Sequence, residues 1–429
     1  MSSAVRSASQ NSEDKSQSVV SRSSLIPWLL IASAPVLFAL ATWNTSNDVV
    51  LTQAWMRFFG VPVVVIEVAV IAYAMLADTK PLKLIGDVSA WAKLLLGILS
   101  AIAFWTACAV APQTVQSVCW TFLSLIHLLF GFSVAALIRT SEARQRRQLW
   151  PAIVVGLCGF AIILIAFVNA VPDPRQFDWE HLRLAVTNVR QVGFYSAVGA
   201  SAALALSIAE KRGAAFIYAL VAGVMLSLSF WTGTRGSLIA VIAAFSFGCF
   251  FLPQLRSIRA WATLAGSLIG GAALSLLQPV PFFLFGLGRI FWSPVAVRSA
   301  DAASSGRLAI WQGTWRAILH RPLLGYGEGQ FSWVVPEANG FNHPHNFLLQ
   351  LLLQWGFIGT LVFTALAFVM TGRIRRNLAS HETDNVAPFL VLSSMLTMSL
   401  YEGTFFHSYP LMMIALSVAL LSQKTERAA

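Results

Sequence analysis

A chain of 429 residues that is 57% hydrophobic and only 11% charged, with a mean hydropathy of +0.70, is not a water-soluble globular domain, since such domains carry about 25% charged residues. Its apolar residues come in continuous runs rather than alternating ~10-residue segments, which excludes a transmembrane β-barrel. The net charge of +11 could suggest a nucleic-acid partner, but in so apolar a chain the first question is which loops hold the basic residues.

The first 24 residues are Ser-rich and polar, with Arg6, Lys15 and Arg22, and no small-residue cleavage pattern follows them. A cytoplasmic tail is expected there rather than a removed signal peptide. Apolar stretches then predict twelve spans, near residues 25–44, 58–77, 91–111, 117–138, 149–171, 191–209, 213–230, 237–252, 260–277, 346–371, 387–400 and 409–422. The expected fold is an all-α polytopic membrane protein: nine helices over 25–277, one long outer loop over 278–345, three helices over 346–422 and a tail over 423–429.

With the N-terminus inside, Lys80/Lys83/Lys93, Arg139/Arg144/Arg146/Arg147, Lys211/Arg212, Arg256/Arg259, Arg373/Arg375/Arg376 and Lys424/Arg427 all fall on the cytoplasmic side, as the positive-inside rule requires. The ten basic residues left outside are Arg57, Arg175, Arg183, Arg190, Arg235, Arg289, Arg298, Arg307, Arg316 and Arg321, without a single lysine. Guanidinium grips phosphate with two parallel hydrogen bonds, so this side is suited to an anionic ligand. Five of the seven histidines, His181, His320, His343, His345 and His407, lie there too. The four cysteines, Cys108, Cys119, Cys158 and Cys249, sit in or at the ends of spans and have no metal-ligand spacing.

Along the chain, Glu67 falls within the second span, where an ionisable group is costly unless paired; an arginine is one candidate partner. Arg183 and Arg190 flank the start of the sixth span, and Arg235 occupies a very short outer turn between the seventh and eighth. The 68 residues from 278 to 345 are too many for a simple connector. They include Arg289 in an apolar stretch, then LAIWQGTWRAILH, in which Leu308, Trp311, Trp315, Ile318 and Leu319 recur at helical spacing and predict a helix at the membrane interface. Arg321-Pro322 ends it, and GYGEGQF forms a turn around Glu328. In NHPHNFLLQ, Pro344 suits the start of a helix with Asn342 or His343 as its cap, which places His345 in the first turn. There the helix dipole favours a neutral imidazole base and a nearby diphosphate. Gly356, eleven residues on, and Gly359 fall beneath His345 as a small-residue stripe.

His345-Asn346 followed by Gly356 and Gly359 resembles the signature of the O-antigen ligase and polymerase superfamily. Gly306-Arg307-Leu308-Ala309-Ile310-Trp311 and Arg321-Pro322-Leu323-Leu324-Gly325-Tyr326-Gly327 are similar to the stretch leading into it. Thr234-Arg235-Gly236 resembles its short arginine turn, and Asn188-Val189-Arg190 its arginine before the next span.

The resemblance implies a glycosyltransferase-C-like enzyme of the bacterial inner membrane, with no metal and no cofactor, taking glycan from undecaprenyl diphosphate on the periplasmic face. As a ligase it would add that glycan to lipid A-core, completing lipopolysaccharide. As a polymerase its acceptor would be a lipid-linked glycan, and as a protein O-oligosaccharyltransferase a protein hydroxyl. Under this reading Arg235 and Arg190, with Arg183 or Arg289, hold the diphosphate, and His345 accepts the proton of the acceptor hydroxyl. Asn346, Gly356 and Arg307 support the site. The partners expected are donor, acceptor and membrane lipid, and no nucleic acid.

Overall fold

A computed structural model describes residues 25–43, 50–170, 184–278, 285–291, 306–338, 340–379 and 383–423, together with 173 and 280. Among the described residues the chain is helical and contains no strand. The helices are α1 (Ile26–Ala41), α2 (Val50–Phe59), α3 (Val61–Leu76), α4 (Pro81–Asp87), α5 (Ala90–Trp105), α6 (Thr114–Thr140), α7 (Ala143–Asn169), α8 (Val192–Ala209) and α9 (Arg212–Trp231). They continue with α10 (Arg235–Gly248), α11 (Ile258–Ser275), α12 (Gly286–Phe291), α13 (Arg307–His320), α14 (Phe331–Val334), α15 (Phe347–Leu378), α16 (Val386–Ser399) and α17 (Ser408–Ser422).

Among the described residues each apolar stretch marked in the sequence is helical over most of its length. Six helices among the described residues are long and apolar enough to cross a membrane: α5 with the π-helical turn Thr106–Val110, α6, α7, α8 with the 3-10 turn before it, α9 and α15. The helices α1, α3, α10 and α17 are apolar but shorter. Large apolar side chains such as Val155, Ile162, Phe216, Leu361 and Phe368 point outward, as expected where the neighbour is an acyl chain.

The helix α8 is the centre of the bundle, with fifteen of its eighteen residues buried. Most of these are Gly, Ala or Ser, which let neighbouring backbones approach closely. A Cβ on Gly199 would lie 2.6 Å from Met225 of α9, and one on Gly193 2.6 Å from Thr234. Hydroxyls bridge the helices: Ser196 donates to the Met225 carbonyl (2.6 Å) and Ser237 to the Thr234 carbonyl (2.9 Å), and the single Ser229 proton is shared between Ser196 and Ser237 (2.6 Å) on either side of it. That ladder ties α8, α9 and α10 together beneath the turn that carries Arg235.

The two ends of the bundle differ. At one end, Arg139 donates to Gln423 (2.9 Å), Arg147 pairs with Asp384 (3.6 Å), and Arg259 donates to the carbonyls of Ser207 and Glu210 (3.3 and 3.1 Å). At the other, the N-terminal end of α8, the Ala185 N–H donates to Thr42 (2.7 Å), Tyr195 to the Ala185 carbonyl (3.0 Å) and Tyr401 to the Gly236 carbonyl (2.8 Å).

The start of α15 departs from the sequence expectation. Asn346, not Asn342 or His343, is the cap: its Oδ1 accepts from Leu349 N (3.0 Å) while its Nδ2 donates to the Leu400 carbonyl (2.9 Å). Pro344 and His345 therefore precede the helix, and His345 stands in the left-handed region at φ 54°. A side-chain oxygen is available at Asn346 to satisfy the orphan N–H groups, so the helix begins there.

Gly356 also differs from its expected role in a small-residue stripe. It breaks α15 with φ 64° and ψ −170°, a conformation open essentially to glycine alone. The break receives the 321–327 segment: Phe357 N donates to the Pro322 carbonyl (2.7 Å) and Ile358 N to that of Leu323 (3.2 Å), while Tyr326 N and Gly327 N donate to Leu353 and Gln354 (both 2.9 Å). The segment thus satisfies backbone groups that a broken helix leaves open. Gly359 faces Ile102 of α5.

The α13 helix forms as expected, but its buried face is Ile310, Ala317 and Ile318 against Leu352 and Leu353, with Trp315 and Leu319 exposed.

Gly356→Ala is expected to cost about 1–3 kcal/mol in backbone strain and to undock the 321–327 segment. A lowered Tm in detergent together with faster proteolysis in that segment checks it.

Candidate active site

At the N-terminal end of α8 lies a cavity of about 600 Å³. Its wall brings Arg190, Arg235, Arg289 and Arg307 together with His343, His345, His407 and one carboxylate, Glu402. Five residues singled out in the sequence, Arg190, Arg235, Arg289, Arg307 and His345, thus meet although up to 155 positions separate them. Arg183 lies outside the described residues. Asn346 and Gly356 are not in the wall; they cap and break α15 below it.

Each arginine is set by local structure. Arg190 follows Asn188, whose side chain accepts from Arg190 N (2.9 Å); its guanidinium donates to the Thr232 carbonyl and stands 5.0 Å over the Phe285 ring. Arg235 is the first residue of α10 and is partly buried. Arg289 lies along the 232–234 turn, where Gly233 has φ 65° and a Cβ would come 2.7 Å from the Arg289 Cδ. Glycine is needed at 233 for the turn and for this contact. Neither Arg235 nor Arg289 has an acid at ion-pair distance among the described residues. Burial, and then the charges of Arg235 and Arg307, lower the Arg289 pKa, with Glu402 opposing. A bound anion would relieve that repulsion.

Glu402 lies in the turn between α16 and α17. Its Oε1 accepts from Arg307 Nη2 at 2.5 Å, and its Oε2 faces His345 Nδ1 at 3.5 Å, longer than an ordinary hydrogen bond. Burial pushes its pKa up, but His345 and Arg307 outweigh burial and leave the carboxylate below its usual range.

The other two histidines are committed to contacts that keep them neutral. His343 Nδ1 accepts from the His345 N–H (3.2 Å), and its ring lies against Gly403, where a Cβ would overlap it. Thr187 N–H donates to Gln191 Oε1 (2.8 Å), which fixes the amide orientation; Gln191 Nε2 then donates to Thr187 Oγ1 (2.7 Å) and to His407 Nε2 (3.0 Å). Burial first, then neighbouring charge, lowers the pKa of both, that of His407 to about 3.

The sequence reading missed Glu402, His343, His407, Tyr401 and Gln191 as parts of this site. Glu402 and the two histidines carried only a faint signal, their place in outer segments.

A second polar cluster lies apart from this cavity. Glu67 pairs with His127 (2.7 Å) rather than with an arginine, because α3 packs on α6 and presents the carboxylate to that imidazole. Nearby, Ser124 donates to Glu328 (2.6 Å) in the segment docked on α15, and burial raises the Glu328 pKa to about 7 against the opposing Ser124 bond. Among the described residues no three of His, Cys, Asp and Glu stand close enough to hold a metal ion.

Fold and cavity together define a multi-pass helical membrane protein with an arginine- and histidine-lined pocket at one end. Residues 220–364, from α9 into α15, match the family model described as O-antigen ligase. It is similar to a Rickettsia felis protein provisionally named a polysaccharide ligase, 27% identical over 287 residues, 61% of this chain and 64% of that one. A Rickettsia conorii protein with the same provisional name is 24% identical over 293 residues, 63% of this chain and 66% of that one. The matches thus span just under two thirds of each relative's length. Arg190, Glu402 and His407 lie outside the family-matched stretch but inside the cavity.

Because the buried Glu328 is held neutral up to about pH 7 while its unfolded counterpart ionises from about 4.5, the folded state binds more protons between these values. Stability from this group is therefore present below pH 4.5 and lost as pH rises through 7. Glu328→Gln is expected to remove that slope relative to wild type, read as Tm against pH.

Proposed function

We propose that the protein is an O-antigen ligase, transferring glycan from undecaprenyl diphosphate to lipid A-core at the periplasmic face of the inner membrane. The observation that carries the proposal is one cavity in which four arginines surround a histidine, with two of the arginines unmatched by any acid among the described residues. Twelve crossings, with both termini in the cytoplasm, suit this reading: among the described residues the helix ends that carry Lys80, Lys83, Lys93 and Lys211 lie away from the cavity, as the positive-inside rule requires of cytoplasmic ends.

Under this reading Arg235 and Arg289 hold the diphosphate, with Arg190 beside them. Arg307, already paired to Glu402, borders the site. The prenyl chain leaves along α10, where Ile239 of the cavity wall and Ile242 are exposed to the membrane side. The acceptor hydroxyl attacks the anomeric carbon and forms the new glycosidic bond, while the bond to the diphosphate breaks and the electron pair leaves with undecaprenyl diphosphate. The arginines stabilise the charge that grows on that leaving group. His345 takes the hydroxyl proton as general base. It suits that role better than His343 or His407, because their acceptor nitrogens are already occupied.

The test is incubation of purified protein with lipid-linked glycan and core lipopolysaccharide. His345→Ala is expected to lower turnover by about 10²–10⁴-fold, and Arg235→Ala or Arg289→Ala by about 10²–10³-fold, with poor rescue by lysine because it lacks the planar fork. Extension of lipid-linked glycan in place of core lipopolysaccharide would make the protein a polymerase; no transfer at all would overturn the reading.

A further inference from the structure

Glu402 is the sole acid in the cavity wall among the described residues, and its placement calls for a reason. If it served to offset the arginines, it would stand between Arg235 and Arg289, which repel one another; it leaves both unmatched and turns to Arg307 and His345 instead. Its two oxygens are divided between these partners, Oε1 to Arg307 and Oε2 toward His345 Nδ1.

The turn that holds it is anchored on several sides. Glu402 N donates to the Met398 carbonyl (2.7 Å), Tyr401 to the Gly236 carbonyl (2.8 Å), Asn346 to the Leu400 carbonyl (2.9 Å) and Gln350 to the Phe405 carbonyl (3.2 Å). Asn346 and Gln350 belong to the helix start that directly follows His345. Acid and imidazole are therefore fixed to one frame. His345 itself stands at φ 54°, a strained conformation for a residue with a side chain, and this is the backbone from which its ring meets Glu402.

We propose that Glu402 is the positioning residue for His345. Its Oε2 accepts the Nδ1–H, which leaves the Nε2 lone pair to take the proton of the acceptor hydroxyl. The carboxylate stays ionised and steadies the imidazolium formed in that step; Arg307 holds the carboxylate in register. Once the glycosidic bond has formed, the proton leaves Nε2 to solvent. At 3.5 Å the pair is longer than an ordinary hydrogen bond, and catalytic hydrogen bonds tighten when substrate binds. The inference rests on the glycan-transfer reading above and assigns the residue through which His345 would act.

The experiment uses the full chain in lipid nanodiscs. Transfer from lipid-linked glycan to core lipopolysaccharide is measured for wild type, Glu402→Gln, Glu402→Asp, His345→Ala and the His345→Ala/Glu402→Gln double variant. The ¹⁵N spectrum of the imidazoles is recorded for wild type and Glu402→Gln. Glutamine keeps the shape and an oxygen for Arg307 but turns an N–H₂ toward His345, which favours the wrong tautomer. The expected result is a fall in kcat of about 10²-fold with donor KM unchanged, partial recovery in Glu402→Asp, and almost no further loss when Glu402→Gln is added to His345→Ala, since residues acting as one unit are not additive. The spectrum should show His345 protonated at Nδ1 in wild type and at Nε2 in Glu402→Gln. An equal loss on both backgrounds, a KM effect alone, or an unchanged tautomer would overturn the assignment. If wild type transfers nothing, the transfer reading fails, while the spectrum still decides whether Glu402 sets the His345 tautomer.

Discussion

The close approach of helices around α8 is the constraint on which the rest of the molecule depends. In a membrane, apolar side chains gain little by leaving lipid for one another, so helices associate through van der Waals contact and a few interhelical hydrogen bonds. The small residues along α8 allow α7, α9, α10 and α16 to close on a single axis, and the Ser196–Ser229–Ser237 ladder adds polar links among α8, α9 and α10. Larger side chains at 193 or 199 would separate the Arg190 turn from the Arg235 turn. The basic cavity is a consequence of that thin helix.

Three irregular backbone features lie at or below the cavity, and each has its partners. The break at Gly356 is filled by the 321–327 segment, the 232–234 turn is held by Gly233 against Arg289, and the strained His345 is followed by a well-capped helix start. Two motifs distant in the sequence, the Arg321–Gly327 segment and Gly356, are one object in space. A Cβ at Gly325 would come 2.5 Å from the Leu353 carbonyl oxygen, and one at Gly356 would overlap the Leu323 backbone. Strain of this kind survives only when surrounding contacts over-determine it.

Electrostatics then separates residues of similar type. Four arginines line the cavity, yet Arg307 is bound to a carboxylate, Arg190 to a carbonyl and a ring face, and only Arg235 and Arg289 have unmatched charge. Three histidines share the wall, yet two have accepting nitrogens already occupied. The chemistry proposed for the site follows from these differences more than from the number of charges.

Continuous apolar runs determined the helical class and the place of each apolar helix, because hydropathy acts locally and at a fixed length scale. The all-arginine outer set already pointed to an anion, since guanidinium chemistry does not depend on the fold, and His345 stood out through its motif. The break at Gly356, the pairing of Glu67 with His127 and the place of Glu402 were decided by tertiary structure alone. In each case the partner is remote in the chain or the backbone adopts a state that local preference disfavours. Periodicity assumes an unbroken helix, so it read Gly356 as one face of α15 when a second segment had claimed the break. Glu402 was one acid among several in outer segments until the packing of α16 and α17 placed its carboxylate between Arg307 and His345; contacts 95 and 57 positions apart leave no periodic trace.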